Sequence, residues 1–167
     1  GAGHRPRRAR GRTGNPAVTY HLRPMTADDG EAVAHWRYPG PWAVYDATGP
    51  LDPAEGYWSV VDEFEAFVGF ACFGVEARVP GLDERDGVLD VGVGMRPELT
   101  GRGRGGPFAE AVLRHAREVA GARRVRAVVQ QWNERSLRLL RGLGFAETGR
   151  HDVPSQGQRY VVLERDL

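Results

Sequence analysis

Residues 95–108 read MRPELTGRGRGGPF, and the six positions from Gly101 to Gly106 hold four glycines and two arginines. Glycine loses more backbone freedom on folding than any other residue, so such a run is costly unless the backbone must turn tightly or be approached closely. An apolar run with period-2 alternation, VLDVGVGM, comes before it, and GPFAEAVLRHAREVAG, with apolar residues at helical spacing, comes after. Strand, glycine turn and helix in that order leave free backbone N–H groups at the positive end of a helix dipole, where an anion such as a pyrophosphate fits. Any fold of this chain has to be built around that unit.

The rest of the pattern supplies the unit with neighbours. VTYHLRPM alternates as a strand and runs to Thr26, an N-cap for a short helix, ADDGEAVAHW, whose first turn is acidic. RYPGPWAVYDATGPLDP is rich in proline, glycine and aromatics and reads as a structured loop, the place for a variable pocket wall. GYWSVVD and EAFVGFACFG predict a hairpin turning near Glu63, and EARVPGLDERDG a polar connection. In VLDVGVGM, Leu89, Val91, Val93 and Met95 share one face while Asp90, Gly92 and Gly94 share the other. RVRAVVQQW is a further strand, NERSLRLLRGLGF a helix from Asn133 to near Gly142, and FAETGRH with GQRYVVLERDL a closing strand pair. The order β-α-β-β-β-α-β-α-β-β predicts a mixed α/β sheet with helices on its faces.

A chain of 167 residues suits one domain and buries enough surface for a real core. Residues 1–16, with five arginines and two prolines, read as a disordered basic leader outside the fold. Cys72 is the single cysteine, which excludes an internal disulfide or a cysteine cluster and points to a reducing, cytoplasmic setting. No apolar run suits a membrane helix or a signal peptide. The histidines show no ligand spacing, so no metal is expected.

What the glycine run holds is narrowed by residue type. A nucleoside-triphosphate P-loop needs lysine, and the chain has none. A dinucleotide fingerprint can be laid on Gly101, Gly103 and Gly106, but such a fingerprint belongs after the first strand of a βαβ unit. GRGRGG also has the composition of an arginine-glycine RNA-binding segment, although those recur in tracts and this is one copy between a strand and a helix.

The chain resembles the GNAT acetyltransferase superfamily, whose loop follows Gln/Arg-x-x-Gly-x-Gly/Ala between its fourth strand and the next helix. TGRGRG matches at Gly103 and Gly105 and departs at Thr100, and Pro97 in GMRPEL stands where the family has its strand end. A second family element, Asn-x-x-Ala/Ser before a helix and Gly-Phe, is similar to NERSLRLLRGLGF at Asn133, Ser136, Gly144 and Phe145. The resemblance implies that residues 17–167 form one acetyltransferase domain. Its fold would be a mixed, mostly antiparallel sheet of six to seven strands with helices on both faces and strands four and five splayed.

It further implies acetyl-CoA as co-substrate, without a metal. The pyrophosphate would lie on the loop from Thr100 and Gly101 through Arg102, Gly103, Arg104, Gly105 and Gly106. Met95 would offer its backbone to the pantetheine and thioester, and Asn133 and Ser136 would stand near the cofactor. Direct attack in a ternary complex would need a neutral amine, for which Asp90 is the first candidate base and Glu76 the second. The family's acid tyrosine, seven residues beyond the asparagine, is replaced by Leu140, leaving Tyr45 or Tyr160 to substitute. Tyr38, Trp42, Tyr45, Tyr160 and Trp58 are expected in the acceptor pocket, with Glu76, Asp83, Glu84, Asp86 and Asp90 making its approach acidic. The partner would be a small-molecule or peptide amine, with the protein a monomer or homodimer and no membrane involved. A non-catalytic acyl-CoA sensor is the rival reading, and the acidic approach opposes the RNA one.

Overall fold

The computed structural model describes residues 19–167. The basic leader expected over residues 1–16 lies outside them. Seven strands form one sheet in the order β1-β2-β3-β4-β5-β7-β6. They are β1 (His21–Pro24), β2 (Trp58–Val61), β3 (Phe67–Phe73), β4 (Leu89–Met95), β5 (Arg124–Gln130), β6 (Ala146–Val153) and β7 (Gln158–Asp166). Every neighbouring pair is antiparallel except β4 with β5.

Three helices cover the faces: α1 (Ala27–Val33), α2 (Gly105–Glu118) and α3 (Glu134–Gly142). α1 is shorter than its sequence suggests. Thr26 caps it by accepting from the Asp29 N–H, and it ends at Val33, after which Trp36 turns down onto Phe67 and Phe70. α2 lies on the opposite face, where Phe108, Ala111 and Val112 meet Tyr20, Val60, Val68 and Ala71. Its C-terminal half and Leu137 of α3 complete a second apolar cluster over Val125, Val129, Val161 and Leu163. The apolar side of α2 thus staples both halves of the sheet.

The turn expected near Glu63 spans Asp62 to Ala66, where the Asp62 carboxylate accepts from the N–H groups of Phe64 and Ala66. The polar connection after β3 begins with a 3-10 turn, Gly74–Ala77. It then passes over the α1 side of β4, β5, β7 and β6, where Arg78 meets Asp90, Arg126 meets the Asp83 carbonyl, Arg85 meets Glu164, and His151 meets the Pro80 carbonyl.

Candidate active site

β4 and β5 pair side by side at only two positions, Leu89 with Val125 and Asp90 with Arg126. Beyond Asp90 the strands diverge, which is the splay the resemblance implied. Val93, in the middle of a seven-stranded sheet, is consequently 53% exposed. A mid-sheet valine stays open only where the neighbouring strand has moved away.

The glycine loop stands at the open end of this fork. Gly101 and Gly103 take φ of +71° and +73°, a region that side chains with a Cβ avoid. Arg104 supplies no side-chain cap to α2, and the first helical bond runs from the Phe108 N–H to the Arg104 carbonyl. The N–H groups of Gly105 and Gly106 therefore precede the helix's own bonding, and Pro107 has none to offer. A Cβ on Gly103 or Gly106 would meet nothing within 4 Å, so the space above the loop is open. Gly105 has a packing reason instead, since a Cβ there would lie 3.0 Å from Leu139 of α3. Both loop arginines are exposed, but Arg104 turns its guanidinium to the Tyr20 phenol.

The aromatic segment between α1 and β2 bridges the fork. The Tyr38 hydroxyl donates to the Met95 carbonyl at 2.6 Å. At the other side Asn133 Nδ2 donates to the Tyr45 hydroxyl at 3.0 Å, while Asn133 Oδ1 caps α3 by accepting from the Ser136 N–H. Trp42 is directed elsewhere than the acceptor cavity. It packs edge-on to Trp132 and beneath the Arg135 guanidinium, 4.7 Å from the ring centre. These three residues, with Arg138 and Leu139, line an open hollow of about 560 Å³. Arg135 also reaches toward Gly101, so the hollow adjoins the glycine loop. Trp132, Arg135 and Arg138 were missed from sequence because nothing in their spacing marks them; only the docking of α3 beside the loop brings them there.

On the α1 side of the fork is a cavity of about 250 Å³. Cys72 and Phe70 of β3 lie across from Gly92 and Gly94 of β4, and a Cβ on either glycine would come within 2.9 Å of Cys72 Sγ or 2.3 Å of the Phe70 ring. The floor is thereby apolar. Trp36, Tyr38, Tyr45 and Tyr57 form walls, and Glu76 enters from the 3-10 turn. Tyr57 donates to Glu76 Oε2 at 3.3 Å. Burial, reinforced by the neighbouring Glu76 carboxylate, pushes the Tyr57 phenol and the Cys72 thiol each up to about 12. Burial likewise raises Tyr38 and Tyr45, the latter against the hydrogen bond from Asn133. All four remain protonated near neutral pH.

Asp90 does not face this cavity. It is 3% exposed, with Oδ1 accepting from Arg126 Nε at 2.6 Å and Oδ2 from Arg126 Nη2 at 3.2 Å, and Arg78 Nε a further 3.1 Å away. Both oxygens are covered by guanidinium groups, which leaves none aimed at an amine. Of the five carboxylates expected around the pocket, Glu76 alone lines it. Tyr160, on β7, is near enough to Tyr45 to influence it but is not a wall of the cavity. Trp58 faces α2, its ring 4.3 Å from that of His115. Leu140 packs against the α2–α3 cluster. Among the described residues no group of three or more His, Cys, Asp or Glu could hold a metal ion, and no helix is long and apolar enough to cross a membrane.

A seven-stranded mixed sheet forked between β4 and β5, with an uncapped glycine loop at the mouth, is the acyl-CoA N-acyltransferase fold. The chain belongs to the acetyltransferase (GNAT) domain family, which matches residues 15–146. Among solved structures it is similar to a GNAT-family acetyltransferase from Bacillus anthracis, with a TM-score of 0.67 and 16% identity over 89% of this chain and 95% of that one. Aminoglycoside acetyltransferase AAC(6')-Ib in complex with paromomycin and acetyl-CoA gives 0.68 and 17%, covering 89% and 93%. A chimera of spermidine N-acetyltransferase SpeG from Vibrio cholerae with hSSAT gives 0.66 and 14%, covering 89% and 95%. At these identities the likeness is one of fold. No curated protein sequence matches the chain.

Proposed function

We propose that this protein is an acetyl-CoA-dependent N-acetyltransferase acting on a primary amine by direct transfer in a ternary complex. The observation that carries the reading is the fork itself, which opens beside the glycine loop at one end and beside the Glu76 cavity on the α1 side. Acetyl-CoA, when bound, supplies an acetyl group activated as a thioester. The residues suit it: the N–H groups of the loop from Arg102 to Gly106 and the exposed Arg102 guanidinium would hold the pyrophosphate. Thr100 and Gly101 shape the turn, the Met95 backbone borders the gap, and Asn133 with Ser136 orders its far side. The complexes of AAC(6')-Ib with acetyl-CoA or coenzyme A support this assignment.

The base role goes to Glu76, because its carboxylate faces the cavity and has Tyr57 as a single hydrogen-bond donor among the described residues. Its oxygens take the proton that an ammonium must lose before its nitrogen can attack. Tyr45 holds a proton on its hydroxyl where cavity and fork meet, oriented by Asn133. A thiol ionises at about 8.5, so the demand on such an acid is modest. Leu140, partly buried where the family carries its tyrosine, favours the second reading, a non-catalytic acyl-CoA sensor.

Calorimetric titration with acetyl-CoA, repeated on Gly103→Trp and with a short RNA, tests the proposal. Micromolar binding lost in the variant is the expected result, followed by amine-dependent release of free thiol. Absence of acetyl-CoA binding, with RNA bound in a steeply salt-dependent manner, overturns it. Binding without thiol release for any amine selects the sensor.

A further inference from the structure

We infer that the acceptor is a compact monoamine with an uncharged, largely apolar body, of arylalkylamine size, and neither a polyamine nor an aminosugar. The inference rests on the N-acetyltransferase reading above and concerns what the Glu76 cavity selects.

Size is the first argument. The cavity, at about 250 Å³, falls below the roughly 300–1,000 Å³ common for pockets that enclose drug-sized ligands. Charge is the second. Glu76 is the sole charged residue in the lining, so one ammonium finds a carboxylate and a second would be desolvated without a partner. Asp83, Glu84 and Asp86 do not line the cavity, and Asp90 is held by Arg126 and Arg78.

Polarity is the third argument. Sugar hydroxyls entering this space would exchange water for groups most of which are already engaged. The Tyr38 hydroxyl donates to the Met95 carbonyl and that of Tyr57 to Glu76, which leaves Tyr45, accepting from Asn133, as the one phenol in the lining with a proton to offer. Unreplaced hydrogen bonds of that kind cost free energy, whereas an apolar or aromatic body gains it from the floor of Phe70 and Cys72 and the face of Trp36.

The experiment titrates intrinsic tryptophan fluorescence with 2-phenylethylamine, 2-phenylethanol, spermidine, kanamycin and a hexapeptide with a free N-terminus, without acetyl-CoA. Initial rates of thiol release are then measured with the same panel. We expect 2-phenylethylamine to bind at least tenfold tighter than its alcohol counterpart and than spermidine or kanamycin, and to be the best acceptor. Glu76→Gln should erase the preference for amine over alcohol while coenzyme A affinity stays within twofold.

The inference is overturned if spermidine, kanamycin or the peptide is preferred, if no compact amine binds, or if the amine and alcohol bind alike in the native protein. Coenzyme A titration separates the two readings. Coenzyme A binding with the wrong amine preference sinks only the substrate class, whereas amine selection without coenzyme A binding sinks the acetyltransferase reading and leaves the selectivity of the cavity standing.

Discussion

Arg126 grips both carboxylate oxygens of Asp90, at 2.6 and 3.2 Å, on the last rung where β4 and β5 still run side by side. The pair is buried, and Arg126 Nη2 also reaches the Asp83 carbonyl at 2.7 Å. It ties the fork at its closed end. Removing one partner of a buried ion pair strands the other and costs about 3–5 kcal/mol. Asp90→Ala should therefore lower the free energy of unfolding in urea by about that amount, and Asp90→Leu combined with Arg126→Met should recover most of it. A variant as stable as the parent but with turnover reduced a hundredfold would return Asp90 to the role of base.

Asp90 also shows where the sequence stops being readable. The alternation in VLDVGVGM puts Asp90 on the correct face, the α1 side, but its partners Arg78 and Arg126 lie in a loop and a strand whose approach is tertiary. The element order and the glycine loop were legible because period and turn chemistry are local. The hollow of Trp42, Trp132, Arg135 and Arg138 was not, since it arises where three segments distant in sequence dock. Trp58 was assigned to the pocket on residue type alone, yet β2 directs it to His115 on α2.

A second ionic cluster gives the protein a defined acid limit. Burial works against ionising Glu164, but hydrogen bonds from Thr148, Arg85 and Arg124 outweigh it and hold the carboxyl at about 2, below its ordinary 4.5. The folded state therefore favours the carboxylate. Its contribution is complete above about pH 4.5 and disappears as pH falls toward 2, a loss on the order of 3 kcal/mol. Denaturation across that window should show the decline in the native protein and a flatter dependence in Glu164→Gln. Parallel slopes would mean that the cluster does not couple folding to protonation.

Tyr45 links the cavity to α3 through Asn133. If its hydroxyl serves as the proton donor, Tyr45→Phe should lower kcat by roughly 10²-fold, within the range of general acid catalysis, and leave acetyl-CoA affinity within twofold. An unchanged kcat with a raised KM for the amine would reduce Tyr45 to a wall of the cavity.

Gly92 sits in extended backbone with no positive φ, so conformation does not call for glycine there. Space does. A Cβ would lie 2.9 Å from the Cys72 sulfur, tighter than atoms tolerate, and Cys72 is hemmed in within the floor of the cavity. Gly92→Ala should cost about 1–3 kcal/mol through overpacking. If the sulfur is the obstacle, Cys72→Ala should relieve most of that cost, giving a favourable coupling on the order of 1 kcal/mol in a double-mutant cycle. Because the two residues pave the cavity and not the glycine loop, the single variant should also raise KM for the amine without moving that for acetyl-CoA. Additive costs in the cycle would show instead that β3 and β4 shift apart as a unit, and that the floor is set by strand spacing and not by this one contact.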